Sequence, residues 1–333
     1  MTNPTYDVLG IGNAIVDVIA RAEDDFLVAH GMNKGAMALI DEPRAQAIYD
    51  AMGPAVQLSG GSAANTIAGV ASFGARAAFI GKLRDDPLGH AFTHDIRGVG
   101  VTFNTPPAAD GPGTARCYIL VTPDGERTMN TYLGAAQDLR PEDVDADLVA
   151  NSAITYLEGY LWDPRNAKDA FLKAAQVAHA AGRLVALTLS DSFCVDRWRG
   201  EFLELARSGT VDLLFANELE LKSLYETADF DAAVAALRAD ARSAVVTRSE
   251  RGCVVVTREQ TRAVAAFPVP QVVDTTGAGD LFAAGFMFGL ARGDDLVAAA
   301  RLGAMAAAEV IQHLGARPER SLKAMAAENG LLA

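Results

Sequence analysis

The sequence predicts an α/β fold, with a central, mostly parallel sheet flanked by helices and a small β lid set over it. Three observations carry that reading. Short apolar runs bounded by Gly, Asn or Asp alternate with helical patterns through most of the 333 residues, as buried parallel strands and their crossover helices do. Two stretches, at about 14–41 and 100–133, break the rhythm with strand-like segments of their own. No internal repeat or low-complexity tract is visible. At roughly 100 to 200 residues per domain the length allows one large α/β unit or two smaller ones. We read one domain over 1–333 with a discontinuous lid.

Taken in order, the apolar runs Tyr6–Ile11, Ala77–Ile80, Ala153–Leu157, Leu184–Leu189, Leu213–Ala216, Ala244–Thr247 and Cys253–Thr257 predict strands. Ala63–Phe73, Arg165–Ala181, Phe230–Arg238 and Asp280–Ala291 predict helices between them. Repeated βα units of this kind wind a sheet on both faces. Val101–Asn104 and Arg116–Val121 read as exposed alternating strands, with a TPDGER turn following Val121. They suit a lid assembled from two insertions; edge strands of the main sheet are the alternative.

Composition removes several functions. Half of the residues are hydrophobic and 21% are charged, an ordinary globular balance. A net charge of −13 argues against a nucleic-acid partner, which needs clustered Lys and Arg. An acidic protein that holds a polyphosphate must neutralise it locally, through backbone amides, Mg2+ and a few placed cations. The three cysteines are scattered, with neither CxxC spacing nor a His partner pattern, so a disulfide framework or zinc site is not expected. The first residues lack the features of a signal peptide, and no run approaches the roughly 20 apolar residues of a membrane span. A cytoplasmic location, as monomer or homodimer, is the expectation.

The strongest local signal is Asp274-Thr-Thr-Gly-Ala-Gly-Asp-Leu-Phe-Ala-Ala-Gly285. Gly277, Ala278 and Gly279 let the backbone turn sharply, so that several N–H groups point one way at a helix start and form an anion hole. Asp280 stands beside that hole, where a carboxylate can take the proton of an attacking hydroxyl. A tight turn and a helix cap would explain a bare GxGD equally well. The whole string resembles the carboxy-terminal signature of the PfkB, or ribokinase-like, kinases.

A second signal runs Ser59-Gly-Gly-Ser-Ala-Ala-Asn65 and on through Gly74, Phe79–Lys82 and Asp85–Gly89. Gly60 and Gly61 permit close backbone approach, and Asn65 offers both a donor and an acceptor at the first turn of a helix. Such a group suits a sugar diol. The stretch is similar to the amino-terminal PfkB signature, with Arg84 where the family usually has Gly. Together the two signatures, about 200 residues apart, imply a ribokinase-like fold along essentially the whole chain.

Neither a Walker GxxxxGK[ST] loop nor a dinucleotide GxGxxG occurs. Asn217 and Glu220 in FANELE are similar to the family's NxxE motif, which implies that they orient ATP phosphates and that Glu220 meets Mg2+ through water. Thr247 and Gly252 match its TxGxxG nucleotide loop, with Ser249 in place of a Gly. By the same resemblance Gly279 lies against ATP, and Asp17, Gly61 and Asn65 hold the sugar, joined by Asn13 and by Arg127 as a lid cation. The family also leaves room for a monovalent cation such as K+.

Gly12–Asn13, Leu187–Ser190 with Phe193, Leu214–Glu218, Ala308–Gly315, Thr114–Cys117 and Arg127–Ala135 are more similar to the family's adenosine kinases than to its ribokinases or fructokinases. That implies an ATP-dependent kinase phosphorylating the 5′-hydroxyl of a ribose, adenosine first among acceptors. Ile15, Met37, Leu133, Tyr160 and Trp162 are candidates for an apolar base slot. A sugar kinase, another nucleoside kinase and a non-catalytic nucleotide-binding protein are the alternatives.

Overall fold

Every residue of Ala77–Ile80 is buried, as are Val8–Ile11 and all but the last residue of Leu213–Asn217. Runs apolar on both faces can only be satisfied inside a sheet covered on both sides. The computed structural model, which describes residues 3–332, supplies that sheet. Its strands are β1 (Tyr6–Ile11), β2 (Ile15–Arg21), β3 (Met37–Leu39), β4 (Ala55–Gly60), β5 (Ala77–Ile80), β6 (Thr102–Phe103), β7 (Ala115–Val121), β8 (Arg127–Tyr132), β9 (Ser152–Glu158), β10 (Leu184–Thr188), β11 (Leu213–Asn217), β12 (Ser243–Thr247), β13 (Cys253–Thr257) and β14 (Thr261–Val264).

Nine of them form the main sheet, in the order β14-β13-β12-β11-β10-β9-β1-β5-β6. Pairing is parallel from β12 to β6, and β13 and β14 add an antiparallel edge. Alternate side chains feed two cores. Leu9, Ile11, Leu187 and Leu214 pack with Phe171 and Phe202 on one face. Val8, Phe79, Tyr156 and Phe215 pack with Phe282 and Phe286 on the other. The Ala278–Arg292 helix is buried continuously from Leu281 to Gly289, as an all-apolar helix must be.

Register aligns the carboxyl ends of the parallel strands. Ile11 pairs with Leu157, Thr188 with Glu158 and Phe215, and Asn217 with Thr247. Open α/β sheets collect ligands along this edge.

The other five strands form a smaller sheet in the order β3-β8-β7-β2-β4. Val16 and Val18 turn one face toward Ala45, Ile48, Phe92 and Ile96 of the Glu42–Ala51 and Pro87–Gly98 helices. The opposite face carries Asp17; it is open along its edge strands, with Leu39 at 62% and Val56 at 60% exposure, and buried at its centre around Cys117 and Ile119. Three details differ from the sequence reading. Arg116–Val121 belongs to a strand paired on both sides, so it is buried rather than exposed. Thr102–Phe103 extends the main sheet beside β5, as the edge-strand alternative held. Ala55–Gly60 lies outside both expected stretches yet pairs with β2 along its whole length. Its partner stands some 40 residues upstream, a distance at which pairing leaves no local pattern. The TPDGER turn does close the β7–β8 hairpin.

Candidate active site

The Ala278–Arg292 helix starts on Gly277, whose φ of 77° is left-handed. A Cβ there would lie 2.7 Å from the Ala316 Cα, so glycine is required by the fold itself. At Gly279 a Cβ would meet nothing within 4 Å. That glycine therefore keeps space free for something outside the chain. Ala278 gives its amide to the Thr275 carbonyl at 3.2 Å, which leaves the amides of Gly279 and Asp280 without acceptors among the described residues. Two open donors at a helix start make an anion seat.

Asp280 faces this seat. Its Oδ1 accepts from the Ser62 hydroxyl at 2.6 Å and its Oδ2 from Asn65 Nδ2 at 3.4 Å. Burial pushes its carboxyl up to about 6, against the lowering effect of Ser62, Asn65 and the Arg317 guanidinium. A base poised near neutrality is what proton abstraction from a hydroxyl needs. Ser62 and Asn65 belong to the Ser62–Ser72 helix, whose cap is Gly61 at φ 95°. A Cβ on Gly61 would lie 2.2 Å from the Asn13 carbonyl oxygen. The two glycine turns thus meet across one cleft.

Asp17, on β2, packs over Gly60, where an added Cβ would fall 2.3 Å from its Oδ2. No hydrogen-bond donor reaches its carboxylate among the described residues, and burial raises it to about 6 despite Arg317 and Arg127 nearby. An unsatisfied carboxylate at a cleft wall is free to bind hydroxyl groups. Asn13 turns elsewhere. It is 2% exposed and donates to Glu158 Oε1 at 2.6 Å, while Glu158 Oε2 accepts from the Ala63 amide at 2.8 Å. Glu158, raised to about 7 by burial, ties the turn after β1 to the start of the Ser62–Ser72 helix. Arg127 does not stand free as a lid cation either. It is ion-paired with Asp274, which also accepts from the Gly315 amide and the Thr276 hydroxyl. This pair joins the open face of the smaller sheet to the loop that leads into Gly277.

The nucleotide candidates sit farther along the strand ends. Asn217 caps the Glu218–Leu224 helix by accepting from the Glu220 amide at 2.8 Å, and Glu220 returns to the Asn217 amide at 2.9 Å. Burial raises Glu220 to about 7, with Asp191 adding to the effect. Glu218 is no solvated acid: Lys222, Arg248 and Arg251 all contact it. Thr247 ends the neighbouring strand, and Gly252, at φ 78°, is needed because a Cβ would lie 2.1 Å from the Val264 carbonyl oxygen. Ser249 has φ 52°, a left-handed conformation that explains why glycine would suit that position. Tyr160, 36% exposed, donates its amide to the Ser190 hydroxyl at 3.1 Å and its own hydroxyl to the Ser190 carbonyl at 3.2 Å. Of the base-slot candidates, Trp162 is excluded: it is 3% exposed, packed at a tilt among Phe171 and Phe202, and its indole N–H donates to Glu201.

Three site residues escaped the sequence reading. Ser62 lies inside the quoted motif but was given no role. Glu158 had a faint signal, a charged residue closing an apolar strand. Arg317 had none, being one arginine in a loop.

A raised carboxylate beside open helix-start amides, at the ligand edge of a parallel sheet, is the layout of an enzyme that moves a phosphoryl group onto a hydroxyl. Comparison with known proteins gives the same class. A model described as pfkB family carbohydrate kinase matches residues 51–322, and the chain belongs to that family of ATP-dependent kinases. Adenosine kinase from Sinorhizobium meliloti is 59% identical, with a TM-score of 0.90 over 97% of this chain and 99% of that one. A probable sugar kinase from Rhizobium etli CFN 42 is 53% identical, with a TM-score of 0.92 over 99% and 100%. Adenosine kinase from Saccharomyces cerevisiae is 28% identical over 93% of this chain and 96% of that protein.

Proposed function

We propose that this kinase transfers the γ-phosphoryl group of ATP to the 5′-hydroxyl of a ribose, with adenosine as the acceptor. One observation carries the reading: Asp280, pushed up to about 6, stands in the first turn of the helix whose Gly279 and Asp280 amides are open, is held by Ser62 and Asn65, and is near enough to Asp17 for its charge to raise that unbonded carboxylate. A ribose whose vicinal hydroxyls bind Asp17 and the Gly61–Asn65 turn would present its primary alcohol to Asp280. Asp280 would take the proton as the oxygen attacks, while the open Gly279 and Asp280 amides hold the charge on the phosphoryl oxygens. Asn217, Thr247 and Gly252 would flank ATP along the strand ends.

Among the described residues no three His, Cys, Asp or Glu side chains gather around a metal position. Mg2+ would arrive with the phosphates and keep its waters, some of them bonded to Glu220. When bound, it would neutralise phosphate charge that an acidic chain cannot. The smaller sheet would act as the lid, Arg127 and Asp274 marking where it meets the catalytic loop. Its open face, with Ile15, Ile19 and Met37 alongside Asp17, offers apolar surface to a nucleoside base, which ribose or fructose would leave uncovered. Among the described residues no helix is long and apolar enough to cross a membrane. A cytoplasmic location belongs to the same reading, supported by three buried, unpaired thiols.

ADP release measured with adenosine, inosine, ribose and fructose tests the acceptor. Adenosine is expected to give the highest kcat/KM by at least tenfold. A free sugar that outruns it would overturn the nucleoside half of the reading.

A further inference from the structure

The loop after the Leu296–Val310 helix packs Ala316 against Gly277 and carries the next residue, Arg317, beneath the two cleft carboxylates. Its Nε donates to Asn65 Oδ1 at 2.8 Å, and its Nη2 donates to the Ser59 carbonyl at 2.8 Å and hydroxyl at 3.0 Å. Its Nη1 is buried without a hydrogen-bond partner among the described residues. Keeping a guanidinium in such a place is costly, and burial pulls it down to about 10 despite Asp95, Asp17 and Asp280. A group this expensive needs a reason to be there.

The reason lies in the Asn65 amide, whose two ends differ chemically but hardly in shape. A guanidinium has donors only, so the oxygen of Asn65 must face Arg317. The Nδ2 end is then aimed at Asp280 Oδ2, 3.4 Å away. Were Arg317 neutral or absent, the amide could rotate and set its own oxygen against a carboxylate oxygen.

We propose that Arg317 is a positioning residue of the transfer reaction: it locks the Asn65 amide with its NH2 group toward Asp280, and its charge keeps that base ionised. The proposal rests on the kinase reading of the cleft. Around Asp280, Asp17 comes from β2, Glu158 and Tyr156 from β9, and Tyr160 from the turn that follows; each of them feels its negative charge. Ser62 and Asn65 are neutral donors. Arg317 is the cation set against this acidic company.

The test titrates the Asp280 carboxyl by 13C NMR in full-length protein labelled with 13C-aspartate, assigned with Asp280→Asn and needing no acceptor. In Arg317→Met, which keeps bulk but removes charge and fork, the midpoint should rise by about one unit, a tenfold tighter hold on the proton. In Arg317→Lys, which keeps the charge, it should rise less than half as far. With ATP and acceptor, kcat of Arg317→Met at pH 7 should fall at least tenfold with KM for ATP within twofold, and millimolar guanidinium should restore part of it. An Asp280 midpoint unmoved in both variants overturns the proposal, whatever the acceptor. Wild-type protein that phosphorylates no hydroxyl compound overturns the kinase reading instead, and the titration registers the two failures separately. If Arg317→Met does not fold, Arg317→Gln provides the neutral comparison.

Discussion

After β11, Asn217 caps the Glu218–Leu224 helix; before the Ala278–Arg292 helix, Gly277 does. Each helix has a carboxylate at its third position, Glu220 and Asp280. Glu220 turns back onto its own cap and closes a capping box, so this helix start satisfies itself. Asp280 has no cap side chain to answer and reaches across to Ser62 and Asn65 on another helix. The amides beside it stay open. The residue at the cap therefore decides whether a helix start is closed by its own chain or offered to an anion. The same acid is part of a lock in one place and poised for chemistry in the other.

The comparison breaks first at Asp280. Asp280→Asn keeps the shape and removes the base, so kcat should fall about 10³-fold, within the range of general-base losses, while the protein stays folded. Turnover close to wild type in an ADP-release assay would remove Asp280 from the chemistry.

The glycines of the open start should then separate. Gly279→Ala sends a methyl into the empty seat, and we expect wild-type stability with about a 10²-fold loss of kcat. Gly277→Ala meets both a left-handed φ and Ala316, so stability should drop by about 2 kcal/mol or more. Denaturant melts and rate assays on the pair should give opposite rankings.

At the closed start, Glu220→Gln preserves a side chain able to complete the box and removes the charge. Stability should stay near wild type while the KM for ATP at limiting Mg2+ rises about tenfold. Glu220→Ala should in addition lose about 1 kcal/mol of stability as the cap opens. A Gln variant with unchanged KM would leave Glu220 as a cap alone.

The smallest effect is in pH. Asp280 holds its proton more tightly folded, at about 6, than unfolded, near the ordinary carboxylate value of 3.8. Between those values the folded state binds the extra proton, so this group's contribution to stability falls as pH rises through about 6. Asp280→Asn should accordingly melt higher relative to wild type at pH 7 than at pH 5. A difference that does not vary with pH would show that the carboxyl is not raised.

Much of this arrangement is legible in the chain. Buried strands declare themselves because apolar residues on both faces have no other use, and the Gly277–Asp280 turn because it sets small residues and an acid together where a helical pattern begins. The strand β4 was not legible, since its partner β2 lies far upstream and four of its own six residues are exposed. Arg127 and Asn13 were legible as polar residues near the site but not as partners of Asp274 and Glu158. Which donor meets which acceptor depends on distances between separate elements.

By itself the sequence determined the sheet, the two glycine turns and the acid that stands at one of them, because backbone freedom and apolar burial are properties of neighbouring residues. Only the tertiary structure decided that Asp280 is served by Ser62 and Asn65, that Glu158 braces the turn beneath them, and that Arg317 fixes the amide between. Those pairings span from 95 to 252 positions of chain, and no local pattern encodes a hydrogen bond made over that distance.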